Sequence, residues 1–420
     1  MGRTRYGKSG NVAFCEGNCG TPSERLGLSD VQRSVVRKKS NQKWVNWGHH
    51  NKLPYEILKL ITGNGISLQL LQTKIDLTVG ERLIIYKDVI SEGKESRKLI
   101  VNDVIQDFID DNDGYEVSMD VIMDLLILGN AFVKCIMDRN NPRKVTELIH
   151  IDAYQCRLGE IQPSGFVETV YECADWEKAN HNKKEGDAGY IRETPLYSQC
   201  WNEDEIPDAF IFHLKRKLPG QPYYGVPDWI GNWDWMELAR KVPKWQNSNI
   251  SRSMNIKYIV RIPENYFTET KPDNLTAEAY EDEVLDAMDE MLTGEENVSK
   301  TFYTKYGDIT KDWKIELVSN DVKDEAFLKV YEASNAATLS GQGINPSLSG
   351  IQSAGSLSSG SDIRNSYLFF ILAKTPRVRH ITLKPWRYVA KRNGWSSKIG
   401  FKNFEITTLD ANPTGSQSAG

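Results

Sequence analysis

Residues 340–360, SGQGINPSLSGIQSAGSLSSG, form an uncharged stretch without an aromatic residue in which 12 of 21 positions are Gly or Ser. Its flanks are helical in pattern. Before it, Asn320 is placed to cap a helix over 321–339 that carries Val322, Ala326, Phe327, Val330 and Ala337 on roughly one side. After it, Asp362 is placed to cap a helix over 362–375 whose centre is YLFFILA. A structureless segment of this length inside a compact chain is uncommon, because it makes few contacts to offset the entropy of ordering its backbone; such segments are usually functional or disordered. Taken alone, this one is either a surface insertion or a yielding loop set on a rigid helix pair.

At 420 residues and 40% hydrophobic composition, the chain can bury a sizeable core and divides into two or three structural regions. The longest apolar run is Tyr367–Ala373, short of the roughly 18 residues that suggest a membrane span, so no transmembrane helix is expected. The first residues, MGRTRYGKSGNVAFCEG, are basic but lack an apolar core, so no secretory signal is expected either, and synthesis in a reducing cytoplasm fits best. Six cysteines (Cys15, Cys19, Cys135, Cys156, Cys173, Cys200) are scattered rather than densely spaced, which predicts free thiols. Cys15 and Cys19 lack a second ligand pair at usable spacing, so neither a metal nor another cofactor is expected.

The formal charge of -5 hides an asymmetry. Residues 1–43 hold nine Lys/Arg against three Asp/Glu, and residues 363–402 hold ten Lys/Arg and no carboxylate. Residues 278–296, EAYEDEVLDAMDEMLTGEE, reverse this with nine carboxylates and no basic residue. Most charge runs are solvated faces, but three blocks of alternating sign suggest regions that meet different partners.

The Gly-, Ser- and Asn-rich start predicts a flexible basic arm over 1–49. From Leu53, LPYEILKLI reads as a helix, SLQLLQTKIDLTVGERLIIY as a second helix and a strand, and Val101–Asp110 as a third helix. Tyr115–Leu128 is amphipathic, with Tyr115, Met119, Ile122, Met123 and Leu126 on one face and Glu116, Asp120 and Asp124 opposite; Gly129-Asn130 ends it. AFVKCIM and VTELIHI read as a hairpin, and FVETVYE and AFIFHLK as further strands, separated by a polar insertion, 174–207, with little structure of its own. Pro227 opens a helix on which Trp229, Trp233 and Met236 recur. KYIVRIP is a strand, 276–292 an acidic helix, and TFYTKY with WKIELVS a strand pair; a short helix over Pro385–Asn393 ends at Gly394.

Enzymatic signatures are weak. GRTRYGKS (2–9) matches the phosphate-loop pattern letter for letter. That loop needs a buried strand before it and a helix after it, and here only Met1 precedes and NVAFCEGNCG, a poor helix former, follows. The 340–360 stretch holds neither a Lys nor a nucleophile elbow. His49 and His50 are adjacent, and His150 and His213 lie in predicted strands, where structural roles are the rule. No enzyme activity is expected.

The order of four segments carries a resemblance: LLILGNAFVK (125–134), FHLKRKLPGQPYYGVPDW (212–229), AFLKVYEASNAATLSGQGINPSLSG (326–350) and the long helix after them. The chain resembles bacteriophage portal proteins, which ring the unique capsid vertex through which double-stranded DNA passes. The resemblance implies an α+β subunit with an α/β wing (50–225), a first stem helix (226–255), a small α/β clip (256–319), a second stem helix (320–339), a tunnel loop (340–361) and a long wing helix with the C-terminal segment (362–420). It departs from larger members in length: the crown should be absent or reduced to a strand such as FEITTL.

The resemblance also implies roles. Asn345, Ser347, Leu348, Ser349, Ile351, Gln352, Ser353 and Ser356 would form the loop around the DNA channel. Trp229, Trp233, Trp235, Met236, Phe327 and Tyr331 would form stem contacts between subunits. Arg364, Lys374, Arg377 and Arg379 would face packaged DNA or pair with acidic residues of a neighbouring subunit. Glu281, Asp282, Asp286, Asp289 and Glu290 would dock a motor or adaptor if outward, or repel DNA if they faced the lumen. The implied partners are further copies of the chain in a ring, a dodecamer, with double-stranded DNA bound without sequence preference, the major capsid protein, the terminase large subunit and a head-tail adaptor. The location is the virion after assembly in the bacterial cytoplasm, with no membrane partner. Other readings are a different ring-forming adaptor or minor capsid protein, and a nucleotide hydrolase using Gly2–Ser9.

Overall fold

The computed structural model describes residues 42–91, 94–141, 144–199, 201, 205–252, 258–261, 266–292, 314–317, 324–349 and 360–405. The arm before residue 42, with Gly2–Ser9, Cys15 and Cys19, lies outside them, as do Asn320, TFYTKY and residues 406–409 of FEITTL.

In chain order the described elements begin with helices α1 (Leu53–Thr62) and α2 (Gly65–Val79), strands β1 (Arg82–Ser91) and β2 (Lys94–Leu99), and helices α3 (Asp103–Asp111) and α4 (Gly114–Ile127). Six strands follow: β3 (Asn130–Met137), β4 (Val145–Ile151), β5 (Cys156–Leu158), β6 (Thr169–Glu172), β7 (Arg192–Pro195) and β8 (Ala209–Lys215). Next come α5 (Trp233–Arg252), β9 (Tyr258–Arg261), α6 (Tyr266–Thr270), α7 (Ala277–Leu292), β10 (Lys314–Leu317), α8 (Asp324–Gln342) and a short α9 (Pro346–Ser349). The chain closes with α10 (Gly360–Ala373), α11 (Thr375–Arg392) and β11 (Lys398–Lys402). The fold is α+β, and every ladder among the named strands is antiparallel.

The chain forms two compact units. The first takes the chain up to Leu58, Ile75–Asp228 and the chain from Tyr367; the second takes Lys59–Lys74 and Trp229–Ser366. Residues 59–74, grouped with 50–225 by sequence, belong with the second unit because Asn64 donates to the Met236 carbonyl of α5 at 3.1 Å and Lys74 to the Gln342 carbonyl of α8 at 3.0 Å.

In the first unit, three sheets run in the orders β11-β1-β2, β4-β3-β8 and β5-β6-β7. The central strand β3, NAFVKCIM, is buried along nearly its whole length, which its almost unbroken apolar run requires of a strand covered on both faces. Helix α11 packs along α4, where the Trp386 indole N–H donates to the Ser118 hydroxyl at 3.1 Å. The sequence pattern confines this helix to 385–393, but it runs unbroken from Thr375. Pro385 costs a helix roughly 3 kcal/mol. Here the buried stripe Thr375, Val378, Thr382, Pro385, Trp386 and Val389 offsets that cost.

Three further expectations are corrected. Val45 and Trp47, assigned to the arm, are core residues, held because Trp47 stacks on Tyr224 with ring centres 4.7 Å apart. Residues 174–207 contribute strand β7 and a small core in which Ile191 packs with Tyr171 and Cys173 against Trp44 and Trp176. Within the described residues WKIELVS pairs with KYIVRIP, through Lys314↔Arg261 to Leu317↔Tyr258, and its expected partner TFYTKY lies outside them. The last described strand is KIGFK, which pairs with β1, while Phe404 and Glu405 of FEITTL are not in a strand.

Helix α4 is the remaining correction. Its solvent face by sequence includes Asp124, yet Asp124 is buried with Ser118, Val121 and Leu125. The carboxylate is tolerated because it meets His150 Nε2 at 2.8 Å and accepts from the Ala153 N–H at 3.0 Å. Burial raises the Asp124 carboxyl to about 6, against the hydrogen bond from His150. Burial opposes charge on His150 too, but its hydrogen bond to Asp124 and the nearby Asp120 and Asp152 charges raise its pKa overall. Both groups therefore hold protons more tightly folded than unfolded, so their contribution is present at low pH and fades as pH rises. The window opens at the ordinary carboxylate value of 3.8 and extends past the ordinary imidazole value of 6.5. Thermal melts from about pH 5 to about pH 8 should show stability falling in the wild type by on the order of 1 kcal/mol. Asp124→Asn should flatten that slope, and an equal slope in both would show the pair to be silent.

Candidate functional site

Two of the segments that carry the family resemblance meet in the first unit. Helix α4 ends at Gly129, whose φ of 73° suits glycine. The next residue, Asn130, is fully buried. Its carboxamide donates to the Leu128 and Gly225 carbonyls at 3.0 Å each, accepts from the Gly225 N–H at 2.6 Å and pairs with His213 Nε2 at 3.0 Å. Both amide donors and the oxygen are thereby satisfied. The backbones are in close contact: a Cβ on Gly225 would lie 2.3 Å from the Gly129 oxygen, and one on Gly129 would lie 2.6 Å from Pro227 N. Arg216 N–H donates to the Gly129 carbonyl at 2.9 Å, and the Arg216 guanidinium pairs with Asp228. Tyr224 of the same YYGVP segment donates to the Val45 carbonyl at 2.7 Å and accepts from Leu158 N–H at 3.0 Å. Thus GNAF and YYGVP are one clamp.

The second unit is built on α5 and α8, which run antiparallel: Asn232 donates to the Ala337 carbonyl at 2.7 Å near one end, and Trp245 stacks on Phe327 at 3.9 Å near the other. Gly341 faces Asn232 so closely that a Cβ there would fall 1.4 Å from the amide nitrogen. Met236, Ala239 and Val242 recur on the buried side of α5. Of the predicted interface residues, Trp229 at 1% exposure and Met236 at 0% are core residues, because their stripe is consumed within the subunit. Trp233 and Tyr331 are half-buried, Phe327 is engaged by Trp245, and Trp235 is exposed.

The loop read at 340–361 is shorter than its composition suggests. Helix α8 continues to Gln342, and Gly343, with a φ of 64°, turns the chain into the buried Ile344. Lys74 stabilises this end, since a cation favours the carbonyl terminus of a helix. Asn345 and Pro346 then start α9, which holds Ser347, Leu348 and Ser349; the Asn345 oxygen accepts from Ser347 N–H at 3.0 Å, and Pro is favoured in a first turn. Ser347 donates to Asp362 at 2.7 Å, tying α9 to the first turn of α10. Asp362 lies inside that turn, because α10 begins at Gly360. Ile351, Gln352, Ser353 and Ser356 lie outside the described residues.

The charged candidates separate. Arg364 and Lys374 are exposed, and Arg377 is exposed while donating to the Lys217 carbonyl at 3.2 Å. Arg379 is half-buried and engaged within the subunit: it donates to the Thr78 carbonyl and Asn403 and lies over the Phe401 ring, and burial lowers its pKa to about 10. It fastens α11 to α2 and β11, which corrects its assignment to the DNA-facing set. Glu281, Asp282 and Asp286 are exposed on α7, and Asp289 and Glu290 follow on the same helix. Cys135, Cys156 and Cys173 are free buried thiols, each raised by burial. No group of three or more potential metal ligands occurs among the described residues. Sequence reading misses Asn232, Gly341 and Lys74, because Gly341 falls in the stretch whose composition reads as loop.

Replacing a helical Gly by Ala ordinarily stabilises by about 0.5–1 kcal/mol. Gly341→Ala should instead destabilise, by about 1–3 kcal/mol, because the methyl displaces Asn232. Asn232→Ala should recover part of that loss in the double variant, measured by denaturant unfolding. A stabilised single variant would contradict the packing described.

No protein-family model matches the chain, and no curated protein does. Solved structures match throughout most of its length. A chain from the virion of a native gene transfer agent particle superposes with a TM-score of 0.52 at 12% identity, covering 86% of this chain and 85% of that one. A chain from the neck of an empty particle of this type, computed with C6 symmetry, gives 0.54 at 12% identity, covering 85% and 86%. One from the neck of the native particle, computed with C12 symmetry, gives 0.53 at 12% identity with the same coverage. At this identity the likeness is one of fold, and the chain shares its α+β fold with chains of that particle.

Proposed function

We propose that the protein is a portal: a closed ring of identical subunits, a dodecamer, at the unique vertex of a virion, through which double-stranded DNA enters and leaves. The observation that carries this is the fold shared over 85% of the chain with a chain from a particle neck computed with C12 symmetry. The ring supplies the channel and docks the terminase large subunit, a head-tail adaptor and the major capsid protein, and the subunit itself is not an enzyme.

Three features support the reading. A pair of antiparallel helices carries the loop, with Lys74 and the Ser347–Asp362 hydrogen bond fixing its two roots. Residues 340–361 contain no charged residue. DNA that must slide is held back by Lys and Arg contacts to phosphate, each of which strengthens binding, so a loop of small uncharged residues makes a yielding constriction. The exposed carboxylates of α7 suit a docking surface for a basic partner. No described helix is long and apolar enough to cross a membrane.

The loop assignment is tested by replacing residues 350–359 with a short Gly linker, which leaves Lys74, Ile344 and Ser347 in place. Rings should assemble as in the wild type, and packaging of DNA into heads should fall. Undiminished packaging would remove the loop from the channel, and loss of rings would make it an assembly element.

A further inference from the structure

Two stretches of chain carry opposite charge without interruption. Residues 101–133 hold eight carboxylates and no Lys or Arg, whereas residues 363–402 hold ten Lys and Arg and no carboxylate. Each also exposes large apolar side chains. In and beside α3, Val101 is 92% and Val104 70% exposed, amid the exposed carboxylates of Asp103, Asp107, Asp110 and Asp111. On α10, Leu368, Phe369 and Leu372 are 45%, 64% and 75% exposed, and the exposed cations Lys374 and Arg377 follow. Leu368 and Leu372 are one turn apart with Phe369 beside them, so the three form one stripe. Clustered exposed apolar side chains mark surfaces that a partner covers.

A cyclic ring closes only through heterologous contacts, so each subunit must present two different, complementary patches. We propose that these are the two patches: the basic apolar face around Leu368, Phe369 and Leu372 of one copy seats on the acidic apolar face around Val101 and Val104 of the next. This rests on the ring reading above. The charges select the pairing, since two basic or two acidic faces repel, whereas a basic face seated on an acidic one is attracted. The same charges disfavour a two-fold dimer in which either stripe packs against its own copy.

The test uses the full-length chain and reads ring formation against concentration by mass photometry, with thermal melts to confirm folding. Lys374→Glu with Arg377→Glu, and separately Asp103→Lys with Asp107→Lys, should each raise the concentration for half-assembly by on the order of tenfold. Combining all four should restore assembly toward the wild type. Leu372→Asp should block rings while leaving the melt unchanged, because that side chain is solvated in the free subunit. Normal rings in all these variants would overturn the proposal, leave the ring reading standing and assign the faces to another partner. A four-fold variant no better than either pair would show that the faces do not meet. A wild type that forms no ring at any concentration would overturn both readings.

Discussion

Asn130 places one buried carboxamide between two glycines that are distant in sequence, and the first unit is organised around that contact. Because Gly129 and Gly225 lack side chains, the backbones after α4 and before Asp228 approach within hydrogen-bonding distance of a single amide. Removing the amide would leave buried N–H and C=O groups unpaired, at about 1–3 kcal/mol each. The contact also fixes where strand β3 begins, and β3 pairs with both β4 and β8. Its partner segment continues through Tyr224, whose hydroxyl reaches Val45, so one clamp gathers four separate pieces of chain.

A second close approach organises the other unit. Asn232 occupies the space that a side chain at Gly341 would need, which locks α5 to the last turn of α8. Lys74 and Ile344 then settle where that helix stops. Rigidity in this unit resides in the helix pair and in the contacts at the end of α8.

Much of this was legible from residue pattern. Apolar periodicity located the helices, and GNAF and YYGVP marked the clamp, though not that they touch. What stayed hidden depended on partners distant along the chain. Asp124 reads as a surface carboxylate because its partners, His150 and the Ala153 N–H, come from a different element. Pro385 reads as a helix start because the buried stripe that carries α11 across it is invisible to local rules. Gln342 and Pro346–Ser349 read as loop by composition, yet a lysine from α2 and an Asn-Pro turn make them helical. Arg379 reads as one more cation in a basic block, and only the fold shows that it binds the Thr78 carbonyl.

The central claim is that identical subunits close into a ring with a hole. Electron microscopy of the purified full-length chain tests it most directly, because class averages give both the symmetry and the position of the 340–361 segment. Twelve-fold rings with that segment at the rim of the axial hole are the expected result. A uniform monomer across concentrations and salt, or a ring with the segment on its outer edge, would contradict the account.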